Sequence, residues 1–486
     1  MAITDPIRRL GGIFAELSLR YVPNPYVLVI LLTVIAFGGA IAVGSSPTEA
    51  MTAWTGGVWT LLGFMAAFAV TLMMGDAIAK SPAVTRFLAR IAKLPSSPFT
   101  AVAFVSFVGM IAGLISWGLG LIVGAVMAKQ VAYQGREKGM NLHYPLLAAA
   151  GYTALMIWHS GLTTSSGLIM ADPALIPPTF EAALAQFPNE NVMENGFSLG
   201  KTIGHPVNLV TVGLMLVVIP PLMGALHPKD DDEIKTLPDK VYRQMAGDKA
   251  STDGGVAEES KTGVAPGLAG TTFADKLNNS KIIGLVIALF PLYYVINAWI
   301  INGQGISSLT LNSINAMFIF LAMILWVTPK RIVQQMDESV ENVGGIIFQF
   351  PFYAGISGLL TGTALTATIA NFFASIATPT TWPVIGLISA GIVNIFVPSG
   401  GGQWVAQGPI LLDTTAQLGM PLETAILIEM MGDQLTNMVQ PFWALPLLAL
   451  ANLRARDIIG YSTVAMVGGF IIMAITMTVM LGLPAA

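Results

Sequence analysis

Cysteine is absent from the 486 residues, which excludes disulfides, thiolate nucleophiles and thiolate metal sites. Charge is scarce as well: 10% of the residues are Asp, Glu, Lys or Arg, and 4 are histidine. The formal net charge of -4 reflects a small acidic excess, so no basic face is offered to nucleic acid. There is no HExxH zinc motif, and the serines lack a convincing His-Asp partner, so the chain does not read as an enzyme. Near the N-terminus Asp5, Arg8, Arg9, Glu16 and Arg20 interrupt any short apolar run of the kind that precedes a cleavage site. That segment, 1–24, is expected to be an interfacial helix opening at Asp5-Pro6.

What is present is apolar. Hydrophobic residues make up 54% of the chain and mean hydropathy is +0.71, values that define an all-α polytopic membrane protein. Apolar runs fit spans at 25–44, 58–79, 207–227, 282–301, 308–327, 345–375 and 457–482. Two further runs are long enough to cross but are broken by polar residues. One, Tyr144 to Met170, contains His159-Ser160-Gly161 and the Thr163–Gly167 run. The other, Leu422 to Leu450, contains Asp433-Gln434, Thr436-Asn437 and Gln440-Pro441.

Two apolar pieces are interrupted more sharply. At Asn394 to Gln407 the sequence reads NIFVPSGGGQWVAQ; Pro398 ends one helix and Gly400, Gly401 and Gly402 allow the chain to turn before another begins at Gln403. A weaker break lies at Ser116-Trp117-Gly118-Leu119-Gly120. Irregular backbone at membrane depth needs protein or a watery cavity around it, so both breaks, near 116–120 and 398–403, read as tips of re-entrant helical hairpins. Helix N-termini at such tips suit an anion.

Short loops rich in Lys and Arg alternate with loops that have few, which places the N-terminus in the cytoplasm with about nine crossings. The hairpins then enter from opposite sides, each followed by a broken helix and an ordinary span. This is the order of inverted-topology repeats in secondary transporters, dividing the chain into a first half at 25–227 and a second at 282–486. Between them 228–281, acidic and then rich in Gly, Ala, Ser and Thr, is expected to be a mobile cytoplasmic linker.

Candidate substrate contacts are Ser116, Trp117, Gly118 and Gly120 at the first tip, His159, Thr163 and Thr164 in the first broken helix, and Ser399, Gly400, Gly401, Gly402, Gln403 and Trp404 at the second tip. Asn437 and Gln440 complete the set. Asp433 is the candidate ion-coupling acid, with Asn394 and Thr436; Glu429 shares its helix face. Asp76 reads as an interfacial residue beside Lys80. A charge at the bilayer centre costs at least ~2.5–3.5 kcal/mol, whereas a helix terminus contributes up to ~2 kcal/mol. A co-bound Na⁺ or H⁺ is therefore expected, with Na⁺ near Asn394, Ser399, Asp433 and Asn437. No other cofactor is implied.

Four stretches, LISWGLGLIVGA from Leu114, FQFPFYAG from Phe348, VPSGGGQWVAQGP from Val397 and NMVQPFWALPLLALANLRARDIIGY from Asn437, closely resemble the bacterial short-chain fatty acid transporter family. The resemblance runs almost end to end. It implies an inner-membrane symporter for small carboxylates such as acetoacetate and butyrate, cation-coupled, working by alternating access, and often homodimeric. An alternative is a Na⁺/H⁺ or other cation exchanger of the same superfamily. The acyl tail is expected against Trp117, Trp404 or Phe442.

Overall fold

The computed structural model describes residue 20 and residues 25–253, 272–301, 309–340 and 343–482, without the side chains of 25, 231, 247–253, 346 and 441–442. Among the described residues the secondary structure is helical, with no strand. The expected interfacial segment 1–24, apart from Arg20, and the loop 302–307 lie outside them, as does the side chain of Phe442.

The first half opens with α1 (Pro25–Ala42), α2 (Pro47–Gly57), α3 (Leu62–Lys80) and α4 (Pro82–Ile91). A helical hairpin follows, α5 (Pro98–Ile115) and α6 (Trp117–Glu137), broken at Ser116. After it come the interrupted pair α7 (Tyr144–Tyr152) and α8 (Ser165–Ala171), then α9 (Pro206–Ala225). The connecting segment carries α10 (Asp239–Asp253). The second half contains α11 (Lys281–Ile296), α12 (Leu311–Trp326), α13 (Pro329–Ser339), α14 (Gly344–Thr361) and α15 (Leu365–Ile376). A second hairpin, α16 (Trp382–Phe396) and α17 (Gly400–Gln417), leads to the interrupted pair α18 (Leu422–Thr436) and α19 (Pro441–Ala451), and α20 (Ala455–Met477) closes the fold. The order hairpin, interrupted helix, long helix thus occurs once in each half.

Five described helices are long and apolar enough to cross a membrane: Leu62–Lys80, Pro98–Ile115, Pro206–Ala225, Lys281–Ile301 and Ala455–Gly482. The run at 345–375, expected to be one span, is instead two helices bent by 74°. Thr361-Gly362-Thr363 supplies the break, as Gly disfavours helix and threonine hydroxyls turn back on the preceding backbone: Thr363 Oγ1 donates to Leu359 O at 2.7 Å. Pro98–Ile115, the expected first arm of a hairpin, is itself long enough to cross.

Small residues let the hairpin and the interrupted helix approach to backbone contact. A Cβ on Gly124 of α6 would lie 2.4 Å from Gly151 O on α7, and one on Gly113 of α5 would lie 2.3 Å from Ala154 O. This is the small-residue packing of membrane helices, where dispersion replaces the hydrophobic effect. Gly124→Val is expected to lower stability by about 1–3 kcal/mol through overpacking, read as the thermal midpoint in detergent.

The halves interlock through α9 on α20, where the buried Thr211 and Thr476 hydroxyls lie 2.7 Å apart, and through α19 on α6, where Trp117 and Trp443 meet edge to face at 5.2 Å. Asp76 proves buried. Its Oδ2 accepts from Lys80 Nζ at 2.9 Å and Ser339 Oγ at 2.6 Å, tying α3 to α13.

The start of the connecting segment is docked rather than free. His143 Nδ1 accepts from the Lys235 N–H at 3.1 Å, the His143 N–H donates to His227 Nε2 at 3.1 Å, and His227 Nδ1 donates to Pro228 O at 2.9 Å. Further along, Asp239 pairs with Arg136 at 2.8 Å and the Tyr242 ring stacks on Tyr133. Residues 254–271 of the expected linker lie outside the described residues. Both imidazoles hold the segment as acceptors, which requires them neutral at those nitrogens. Burial lowers the His227 pKa below its ordinary 6.5, so docking gains stability that is fully present above pH ~6.5 and is lost as pH falls through the depressed folded value. Proteolytic cleavage within 228–253 should rise between pH 7.5 and pH 5.5; equal cleavage at both would remove these histidines from the role.

Candidate functional site

Between α7 and α8 the chain runs through two 3-10 turns, Thr153–Met156 and Trp158–Ser160, and then an irregular stretch to Thr164. Hydroxyls and Gly161 compete there with regular helix bonding. Its counterpart begins after Thr436 with the turn Asn437–Val439 and restarts at Pro441, which needs no donor in a first turn. Backbone groups freed at the breaks are caught both by the facing half and by the neighbouring hairpin. Tyr152 OH donates to Asn437 O at 2.7 Å and Gln440 O at 2.9 Å. The Leu162 N–H donates to Leu114 O at 2.8 Å. Such pairing is what lets broken helices exist in an apolar setting.

The two breaks bring His159 against α18. Its Nδ1 lies 3.0 Å from Asp433 Oδ2, and its Nε2 accepts the Ser166 N–H at 3.3 Å and lies 3.8 Å from Glu429 Oε2. All three side chains are buried. Beside them Gln434 donates to Ser160 Oγ at 2.8 Å and accepts the Ser160 N–H at 3.1 Å, cross-linking the interrupted helices. The His159 ring stacks on Trp158, their centroids 4.4 Å apart and their planes 4° apart, and faces the start of α17: a Cβ on Gly400 would lie 2.7 Å from His159 Cε1. Only glycine fits that approach.

A small cavity lies at this junction, lined by Phe68, Trp117, Leu155, Trp158, Ser165, Phe350, Ser399, Gly400, Asp433, Asn437 and Trp443. Residues of both tips and of both interrupted helices therefore meet at one place. Ser399 caps α17 by accepting the Gly402 N–H at 3.3 Å, which leaves the first amides of the helix directed toward the cavity end. The Ser116, Thr163, Thr164 and Ser165 hydroxyls nearby are buried without hydrogen-bond partners among the described residues.

Of the residues singled out in the sequence, Trp117, Ser399, Gly400, Asp433 and Asn437 line the cavity. His159 stands directly behind Gly400. Others are structural in this conformation. Trp404 is fully buried against Phe180, away from the cavity lining. Gln403 donates to Ala390 O at 2.9 Å and to Gln407 Oε1 at 3.0 Å. Gly401 abuts Phe64, Gly402 abuts Tyr353, Gly118 faces Leu72, and Gly120 packs on Gly113. Gln440 donates to Asn394 O at 2.7 Å.

Several of the oxygens expected around Na⁺ are hydrogen-bonded in this structure, while Asn394 Oδ1 is buried with no hydrogen-bond partner among the described residues. Asn394 Nδ2 is the shared donor to Asp433 O at 2.6 Å, Thr436 Oγ1 at 2.9 Å and Asn437 Oδ1 at 3.0 Å. Asp433 Oδ2 faces His159, Ser399 Oγ caps its helix, and the Asn394 amide nitrogen ties α16 to α18. Phe68, Phe350, Trp158 and Trp443 were not foreseen as cavity walls. Phe350 and Trp443 sit inside FQFPFYAG and QPFWALP, stretches distinctive enough to have flagged them; Phe68 carries no such signal, since an aromatic in an apolar span is commonplace.

Helical hairpins and interrupted helices from two halves of one apolar chain, closing on a small cavity, define a membrane transporter rather than an enzyme. The chain belongs to the short-chain fatty acid transporter family: the family described as Short chain fatty acid transporter matches residues 6–480. A Haemophilus influenzae protein is 30% identical over 462 residues, spanning 95% of this chain and 97% of its own. One from Escherichia coli is 31% identical over 473 residues, spanning 97% and 99%. Both are provisionally described as short-chain fatty acid transporters.

Among solved structures, the Alcanivorax borkumensis YdaH transporter superposes with a TM-score of 0.54 at 14% identity over 95% of this chain and 98% of its own. MtrF of Neisseria gonorrhoeae, placed in a class of antimetabolite efflux pumps, gives 0.57 at 14% identity over 96% and 97%. At that identity the likeness establishes a common fold.

Proposed function

We propose that this multi-pass bacterial membrane protein takes up short-chain fatty acid anions such as acetoacetate and butyrate together with Na⁺ or H⁺, by alternating access around the cavity between the two tips. The carboxylate faces the Ser399-Gly400 end of α17, and the acyl tail lies among Trp117, Phe68, Phe350 and Trp443. One observation carries the coupling: Asp433 lines the same cavity as that helix end. Two unit negative charges about 4 Å apart repel by about 4 kcal/mol at an effective dielectric of 20, while a helix terminus returns at most ~2 kcal/mol. The balance calls for a positive charge that travels with the substrate.

Inner-membrane placement with a cytoplasmic N-terminus rests on the Lys and Arg distribution among short loops, re-entry of the hairpins on their interrupted geometry, and the homodimer on family resemblance. Proteoliposomes test the reading directly. Labelled butyrate or acetoacetate should accumulate under an inward Na⁺ or proton gradient, and absence of both accumulation and counterflow would reject it. A cation exchanger of the same superfamily would instead move Na⁺ or H⁺ with no stimulation by carboxylate.

A further inference from the structure

Asp433 is the more obvious coupling acid from the sequence, yet its Oδ2 is already engaged by His159 Nδ1 at 3.0 Å. Glu429, one helical turn earlier on α18, is not. It is fully buried, and neither of its carboxylate oxygens has a hydrogen-bond partner among the described residues. An isolated carboxylate removed from water costs several kcal/mol, and proteins relieve such a group by neutralising it or pairing it with a cation. The groups that the structure brings to Glu429 are His159, whose Nε2 is 3.8 Å from Oε2, Asp433 and the Ser166 hydroxyl; one ligand atom from each of Glu429, His159 and Asp433 lies within 4.8 Å of the others.

We propose that Glu429 carries the coupling charge, a single monovalent cation in the form of H⁺ or Na⁺, and that Asp433 acts as a positioning residue by fixing the His159 ring. The assignment rests on the symport reading above and names the residue within it. Its route to the substrate is short. A charge arriving at or leaving Glu429 acts on His159, and the His159 ring packs directly against Gly400 at the proposed anion-binding end of α17. The ring transmits the change because it is confined on its other sides, stacked on Trp158 and hydrogen-bonded to Asp433 and Ser166.

The test compares wild type, Glu429→Gln, Glu429→Asp and Asp433→Asn in proteoliposomes, measuring counterflow and gradient-driven accumulation of labelled butyrate, with Na⁺ and pH varied independently. Glu429→Gln should lose concentrative accumulation at least tenfold and exchange butyrate at a rate that no longer responds to the cation that drives wild type. Whether wild type responds to pH or to Na⁺ tells which cation Glu429 holds. Glu429→Asp should keep coupling with a shifted half-saturating cation concentration, which guards against a misfolded Gln variant. Asp433→Asn should shift butyrate affinity, through the lost repulsion and the freed His159 ring, while accumulation still follows the same gradient. Concentrative, cation-dependent uptake by Glu429→Gln would overturn the proposal, as would loss of cation dependence in Asp433→Asn alone. Wild type without counterflow would overturn the transport reading itself and this assignment with it.

Discussion

Gly400→Val is expected to reduce butyrate transport by about two orders of magnitude while leaving the protein folded. The new Cβ would stand 2.7 Å from His159 Cε1 and 3.1 Å from the Trp158 ring, closer than real Cβ contacts come. His159 cannot yield freely, since Asp433 and Ser166 hold its two nitrogens. The tip of α17 must therefore move instead, at a strain of roughly 1–3 kcal/mol, which at 1.4 kcal/mol per factor of ten is about 5- to 150-fold. The side chain also intrudes on a small cavity and shields the first amides of the helix, which takes the loss to the upper end of that range. Counterflow at saturating butyrate reads the effect. Gly38→Ala, at a site with nothing within 4 Å of the added Cβ, should transport as wild type. If the two variants behave alike, the α17 tip is not the substrate site.

The largest loss of stability should come from Asp433→Leu. Removing the carboxylate leaves the buried His159 Nδ1–H without the acceptor it meets at 3.0 Å, which costs about 1–3 kcal/mol, more where the lost acceptor is charged, and His159 has no solvent to turn to. The helix around Asp433 is pinned independently, by Asn394 on its carbonyl and Gln434 across to Ser160. The damage should thus be local to the His159 turn before it is global. Thermal denaturation in detergent should show a midpoint well below wild type, and hydrogen exchange should rise first in 157–166. Glu429→Leu offers the contrast: a carboxylate with no hydrogen-bond partner loses nothing comparable when replaced by an apolar side chain. Equal destabilisation by the two would contradict the different roles assigned to them.

The helical fold and the four breaks at the hairpin tips and interrupted helices were legible because Pro, Gly and clustered polar residues interrupt apolar runs in a chain with so little charge. PSGGGQW marked the break, but the helix begins three residues before the expected Gln403: Ser399 caps it and Gly400, Gly401 and Gly402 form its first turn rather than the bend. The bend at Thr361-Gly362-Thr363 was missed because one glycine between threonines looks like an ordinary membrane helix, and only packing resolves it. Asp76 was misplaced for a different reason. Its proximity to Lys80 suggested the membrane surface, whereas Ser339 and Gln335, more than 250 residues away in sequence, build a buried pocket around it. Local sequence does not contain that information.

At the site, the residue types were visible but their division of labour was not. Sequence spacing put Glu429 and Asp433 on one helix face without saying which would meet His159. That choice is made by the irregular turn at 157–164, whose course follows no periodic rule. Asn394, a candidate cation ligand from the sequence, is in the structure the donor that joins three oxygens, with its Oδ1 left without a partner among the described residues; which end of the amide faces α18 could not be read from the sequence.

The edge-to-face pair of Trp117 and Trp443 has a consequence of its own. One indole belongs to each half of the molecule, and such a contact adds only ~0.5–1.5 kcal/mol beyond the area it covers, little enough to be given up and regained in every working cycle. Any rocking that opens the seam between α6 and α19 separates these two chromophores, so the emission of the protein itself should brighten or dim with each turnover, an intrinsic optical gauge of how wide the door stands.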